Sequence, residues 1–229
     1  MDAVWLCKVA ERQMLRPSFV PPPPIRQLRD LTRYRVDLVT ARTAEKQRVE
    51  KLLEDSGVKL SVVASDIFGV SGRAMMDALI HGERDPQVLS DLAKGRLRVK
   101  TRALQEAFVG RFTDHHAFLL TRMLARVDAI NADIAALEER IEAHLRPFAD
   151  TVAQLSAIPG FGPISAAAVL GEIGVDMTRF PTPGHLASWA KFTPITKESA
   201  GKSRGKPATG HGNKYLARAL GEAQTSGSR

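Results

Sequence analysis

The stretch DHHAFLLTRMLARVDAINADIAALEERIEAHLR, residues 114–146, decides how this chain folds. Within it Leu120, Met123, Val127, Ile130, Ile134, Leu137 and Ile141 recur at alternating steps of three and four. Such steps keep side chains on one face of an α-helix, and three successive heptads make a seam of apolar positions. Arg126, Asp133, Glu138 and Arg140 fall outside that seam. Pro147 has no amide proton to continue the helix and ends it. A seam of this length needs a partner, either another segment or a second copy. It is read as a long antiparallel hairpin with residues 25–55 that also drives self-association, so a coiled coil and a homo-oligomer are expected.

Working outward, the partner segment Ile25–Asp55 places Leu28, Leu31, Leu38, Val49, Leu52 and Leu53 near one face. Arg26, Arg29, Arg33, Arg35, Arg42, Lys46 and Arg48 are expected around the rest. Upstream, residues 2–16 carry Val4, Trp5, Val9 and Met14/Leu15 at helical spacing and read as a short helix. The four prolines at 21–24 predict an extended polyproline spacer, with Pro24 in the first turn of the next helix. Residues 60–111 read as short helices broken at FGVSG, HGERDP and AKGR. No alternation of strand type or hairpin signal stands out, so the predicted fold class is all-α.

Composition narrows the function. The chain has 229 residues, 44% apolar and 25% charged, as in a soluble globular protein. No apolar run approaches the roughly 20 residues that span a bilayer, and no signal peptide opens the chain, so no membrane partner is expected and the default compartment is the cytoplasm. Cys7, the single cysteine, cannot form an internal disulfide; with no activating neighbour it reads as a buried small apolar residue. The adjacent His115 and His116 point to different helix faces and read as partly exposed rather than as metal ligands. The net charge of +8 favours a polyanionic partner. Most of it lies beyond residue 190, where eight lysines and arginines face only Glu198 and Glu222.

Two motifs lie in that direction. In LSAIPGFGPISAAAVLGEIG, residues 155–174, two apolar helices meet at a G-x-G turn closed by Pro163. This resembles the helix-hairpin-helix pattern, in which backbone N–H groups at Gly160, Gly162 and the following helix start can hold a DNA phosphate without reading bases; an ordinary helical turn with glycines for packing is the alternative. Then comes KESAGKSRGKPATGHGNKYL, residues 197–216, with glycines at 201, 205, 210 and 212. Those glycines let the backbone approach a ligand, and Lys202, Arg204, Lys206 and Lys214 offer charge to phosphate. Asn213 or Gly212 suits the cap of the helix KYLARALGEA. The P-loop pattern G-x-x-x-x-G-K-[ST] does not occur. By composition alone Ser199 is an ordinary loop serine.

Taken together, LSAIPGFGPISAAAVLGEIG, FPTPGHLASWAKFTP and KESAGKSRGKPATGHGNKYLARALGEA resemble the C-terminal domain of the IS110 insertion-sequence transposases. DAVWL, MLRPSFVPPPPIRQLRDLTRYR, SGRAMMDALIHGERDPQVLSDLAKGRL and DHHAFLL extend the resemblance over nearly the whole chain. It implies residues 1–24 as the end of a RuvC-like acidic domain with its linker, 25–150 as a helical and coiled-coil region, and 151–229 as the transposase domain. It also implies Ser199 as a catalytic nucleophile, Asp2 as the last of four metal-binding acids, and Mg²⁺ as cofactor. DNA is the implied partner, together with a structured guide RNA. The other three acids would precede Met1 and the family's chain runs on past ALGEA, so a piece truncated at both ends is expected.

Two functions compete on these grounds. One is DNA strand transfer by a serine nucleophile working with an acidic metal domain. The other is a catalytically inactive fragment that only binds DNA and oligomerises. A coiled-coil adaptor is disfavoured by the basic charge gathered beside the G-x-G turn.

Overall fold

A computed structural model of the chain describes residues 2–14, 20–195, 198–199, 202–203, 208–209 and 212–227. The fold class is all-α, as expected. Eleven helices occur among the described residues: α1 Asp2–Glu11, α2 Pro23–Asp55, α3 Leu60–Val63, α4 Val70–Ile80, α5 Pro86–Asp91, α6 Thr101–Ala107, α7 Asp114–Leu145, α8 Ala149–Ser156, α9 Pro163–Ile173, α10 Pro183–Trp189 and α11 Lys214–Gly227. Extended pairing is confined to two antiparallel ladders of two residues each, β1 Pro194–Ile195 with β4 Ala208–Thr209 and β2 Glu198–Ser199 with β3 Lys202–Ser203.

The chain forms two compact units, residues 34–140 and residues 1–33 with 141–229. In the first, Val49, Leu52 and Leu53 of α2 and Leu120 and Leu124 of α7 share a core with Met75, Met76, Leu79, Leu89 and Leu104 from the short helices between them. Those short helices are closed by local polar bonds. Asp85 accepts from the Gln87 amide at 2.8 Å to start α5 after the predicted HGERDP break. Arg84 donates to the Leu79 carbonyl at 2.6 Å and the Phe112 carbonyl at 3.0 Å, with its guanidinium over the Phe112 ring. His116 accepts the Thr113 amide through Nδ1 at 3.1 Å, which gives it a role in closing the start of α7.

The seam of α7 is buried as its spacing predicts. Leu120, Val127, Ile134 and Ile141 are buried, and Met123, Ile130 and Leu137 are half-buried. Within residues 34–140 three side-chain pairs join α7 to α2 in antiparallel order. Arg35 donates to Glu138 at 2.6 and 2.8 Å, Arg42 to Asn131 at 3.0 Å, and Arg126 lies 4.0 Å from Glu45. Glu45 is only 5% exposed and is also held by Arg48. This corrects the expectation that the arginines of α2 point away from its packed face. A helix face is counted by hydropathy, which misses a half-buried guanidinium or a buried carboxylate that meets an opposite charge.

In the second unit, Ile25 and Leu28 of α2 pack with Ile141, Ala167 and Leu170. Val169 and Ile173 of α9 pack with Ala190, Leu216 and Ala219, joining α9, α10 and α11.

Three boundary expectations change. The first helix stops at Glu11, because Gln13 takes a left-handed φ of 53° while Gln13 and Met14 donate back to Ala10 and Val9. The polyproline spacer is shorter than predicted, because α2 already starts at Pro23 and proline's fixed φ suits a first helical turn. Cys7 is exposed, not buried, and so are Val4, Trp5 and Leu6 of the same helix. Helical spacing marks an apolar face but does not supply what covers it.

Candidate nucleic-acid interface

The G-x-G turn is built as the sequence suggests. Helix α8 ends at Ser156, and the Ala157 and Ile158 amides still donate backwards, to Ala153 at 3.0 Å and Leu155 at 3.1 Å. Gly160 then takes a φ of 86°, a region that L side chains rarely occupy. Phe161 donates its amide to the Ile158 carbonyl at 3.0 Å and packs its ring against the core of α9, α10 and α11. Gly162 caps α9 in an extended conformation, and a Cβ there would meet nothing within 4 Å. No side chain caps this helix start. The first-turn amides, including those of Ile164 and Ser165, therefore have no intrahelical acceptor and are directed outward along the helix axis. Open space at Gly162 next to those amides is the geometry that a phosphate needs.

The basic segment is a pair of nested ladders. Pro194 pairs with Thr209 and Ile195 with Ala208; further along, Glu198 pairs with Ser203 and Ser199 with Lys202. No strand or hairpin signal in the sequence announced this pairing. Short antiparallel pairing sets the Ser199 and Lys202 backbones side by side, three residues apart in sequence. Arg204 and Lys206 lie outside the described residues. Lys214 opens α11, exposed, with its ammonium 4.8 Å from the Tyr215 ring centre.

The base of this segment is held more firmly than the sequence indicates. Gly212 lies so close to the end of α10 that a Cβ would come within 2.1 Å of the Ala190 carbonyl oxygen. Asn213, one of the two expected caps, is the cap observed: its Oδ1 accepts the Tyr215 and Leu216 amides at 3.1 Å. Its Nδ2 donates to Glu172. Glu172 is 3% exposed and receives Arg33 on both oxygens, Nε and Nη2 each at 2.7 Å. The Arg33 guanidinium also covers the Tyr215 ring at 4.9 Å. Hydrogen bonding to Glu172 is the first cause that raises the Arg33 pKa above its ordinary value, against an opposing effect of burial. One buried carboxylate thus ties α2, α9 and the start of α11 together where the basic segment ends. Sequence reading missed this centre; its signal was Glu172, the one charged residue of the apolar run 155–174.

Asp2, the expected metal ligand, begins α1. Among the described residues no group of three or more His, Cys, Asp or Glu side chains is placed to hold a metal ion.

The comparisons with known proteins meet this geometry at both ends of the chain. Residues 152–229 match the model of the transposase IS116/IS110/IS902 family, and residues 1–57 match the DEDD transposase model of the IS110 group. The chain belongs to the IS110 transposase family. Among curated relatives, the "Probable family 20 transposase" of Pseudomonas aeruginosa is 28% identical over 217 residues, covering 94% of this chain and 54% of that protein. The insertion element IS110 uncharacterized 43.6 kDa protein of Streptomyces coelicolor is 40% identical over 102 residues, covering 44% of this chain and 23% of that protein. The chain thus spans about half the length, or less, of these relatives. The family model over 152–229 encloses the G-x-G turn, the Glu172 centre and the nested ladders. Among the described residues no helix is long and apolar enough to cross a membrane.

Proposed function

We propose that this chain carries the DNA-holding and strand-transfer part of an insertion-sequence transposase, with Ser199 as nucleophile. The observation that supports it best is the ladder in which Ser199 pairs with Lys202, inside the region matched by the family model and anchored at its base through Gly212 and Asn213. In this reading the Ser199 hydroxyl attacks a phosphodiester phosphorus. An Oγ–P bond forms, the P–O bond to one deoxyribose oxygen breaks, and that oxygen leaves as a hydroxyl after taking up a proton. Lys202, Arg204 and Lys206 offset the charge that builds on the phosphoryl oxygens. The amides at Gly162 and the start of α9, with Lys214, hold the backbone of the duplex.

Divalent metal dependence follows from the DEDD domain model at residues 1–57. Mg²⁺ is the ion the resemblance implies, but the described residues of this chain assemble no donor set for it. Asp2 would give one carboxylate to a site whose remaining acids come from elsewhere, so no step is routed through the ion. In this reading DNA is the substrate class, a guide RNA is the additional partner that the resemblance implies, and the α7 seam is a surface for self-association.

A second reading is a DNA-binding, oligomerising module without chemistry of its own. The basic charge beyond residue 190 and the buried α7 seam support it as well as they support the first. The two are separated by covalent capture. The chain alone, with Mg²⁺ and supercoiled DNA, is expected to form no protein–DNA adduct. The same chain within a full-length transposase should form one, and Ser199→Ala should abolish it while retaining salt-sensitive DNA binding. An adduct that survives Ser199→Ala removes Ser199 from the mechanism.

A further inference from the structure

The unit formed by residues 34–140 has a cleft of about 540 Å³ that neither the seam nor the family's serine explains. Its walls come from the end of α3, the start of α4 and the 3-10 turn Gly95–Lys100, with Asp66, Ser71, Lys94, Arg96, Leu97 and Lys100 facing the space. The turn lies in KGRLRVKTR, residues 94–102, where five of nine residues are basic and none is acidic. A 3-10 helix has three residues per turn, so Leu97 and Lys100 stack on one side, while Lys94 enters the turn in extended backbone.

That basic turn is strapped across the cleft at both ends. The Lys94 amide donates to Ser71 Oγ at 2.9 Å, and Lys100 Nζ donates to the Val63 carbonyl at 2.8 Å. Arg98 folds back to the Ala93 carbonyl at 3.2 Å. The Lys94 and Arg96 side chains are exposed and have no bonding partner among the described residues. Asp66 is the one carboxylate in the lining, and it accepts the Phe68 amide at 2.9 Å. No aromatic ring lines the cleft, so bases cannot be bound there by stacking on a ring. Val70, 70% exposed, and Leu97 provide apolar walls of the kind that pack on sugar rings.

We propose that this cleft is a second nucleic-acid site, which grips a phosphodiester backbone without reading sequence. Lys94 and Arg96 pair with successive phosphates, Lys100 adds charge from the strapped end, and the Ser71 hydroxyl borders the strand. The site is separate in sequence from the basic segment beyond residue 190 and acts whether or not Ser199 is a nucleophile.

The test uses the full chain and three labelled probes: duplex DNA, single-stranded DNA and single-stranded RNA, each titrated by anisotropy over a range of salt. Each phosphate contact adds about −0.9 to the slope of log affinity against log salt on duplex, and about −0.7 on single strands. Lys94→Gln/Arg96→Gln should make the slope shallower by about 1.8 on duplex, or about 1.4 on a single strand, for at least one probe. The probe most affected identifies the strand type. Lys202→Gln/Lys206→Gln reports on the C-terminal segment independently. If only that variant changes the slope, the cleft proposal is overturned and the C-terminal one stands; if only the cleft variant does, the reverse holds. Acylation of lysines in the unmodified chain gives a readout that needs no variant to fold. Bound nucleic acid should slow modification of Lys94, whereas an unchanged Lys94 rate under saturation by all three probes would overturn the proposal. Protection of Lys94 by polyglutamate but by no nucleic acid would assign the cleft to an acidic polypeptide instead.

Discussion

The Arg33–Glu172 pair gives an asymmetry that can be measured. Its two partners differ in exposure: the Arg33 side chain is 36% exposed and that of Glu172 2%. Replacing Arg33 by Met strands a buried carboxylate with Asn213 as its remaining donor. Breaking a buried pair in this direction costs about 3–5 kcal/mol, and the surviving Asn213 bond argues for the lower end. Replacing Glu172 by Leu instead leaves a guanidinium that already reaches water and rests on Tyr215, and should cost only about 1–2 kcal/mol. Arg33→Met/Glu172→Leu should then be more stable than Arg33→Met alone, because the stranded charge is gone. Urea unfolding followed by Trp189 fluorescence reads the second unit directly, since that ring packs 5.3 Å from Phe180. A pH arm sharpens the result. The raised Arg33 pKa keeps the cation charged until well into the alkaline range, so stability tied to it is present throughout neutral pH and lost only as pH rises through that value. The stability tied to the Arg33 cation should therefore stay constant through neutral pH and fall only at strongly alkaline pH. Equal losses in the two single variants, or a larger loss in Glu172→Leu, would refute the reasoning.

Gly212→Ala forces a Cβ against the Ala190 carbonyl oxygen, and should lower the melting temperature and weaken DNA binding together in a combined melting and filter-binding series. Gly160→Ala meets a φ of 86° and should destabilise by about 1 kcal/mol, whereas Gly162→Ala has open space and a compatible φ and should leave the melting temperature unchanged. If the turn holds phosphate, Gly162→Ala should nonetheless reduce DNA affinity; unchanged affinity would remove the turn from the interface. Ile134→Asp buries a charge in the α7 seam and should cost several kcal/mol, roughly 3 or more, with sedimentation reporting any change in association state. Unchanged melting would show that the seam tolerates water.

Much of the fold was legible because it is local. Heptad spacing placed the α7 seam, Pro147 its end, HGERDP the break before α5, and the Gly160–Pro163 turn the junction of α8 and α9. The basic, glycine-rich segment was legible as one of a set of motifs whose order matches the family, though no single one of them carries that much. Each of these features is set by residues within a few positions of one another, where backbone propensity and side-chain period act directly. What the sequence left open depends on residues far apart. Glu172 meets Arg33 across 139 positions, and Arg35 meets Glu138 across 103. Hydropathy gives no sign that such charges turn inward, because the energy that permits it comes from the partner and not from the residue. Tertiary structure likewise left the apolar face of α1 uncovered, set Gly212 against Ala190, and folded KGRLRVKTR across a cleft, since each outcome needs a second segment to arrive at a particular place.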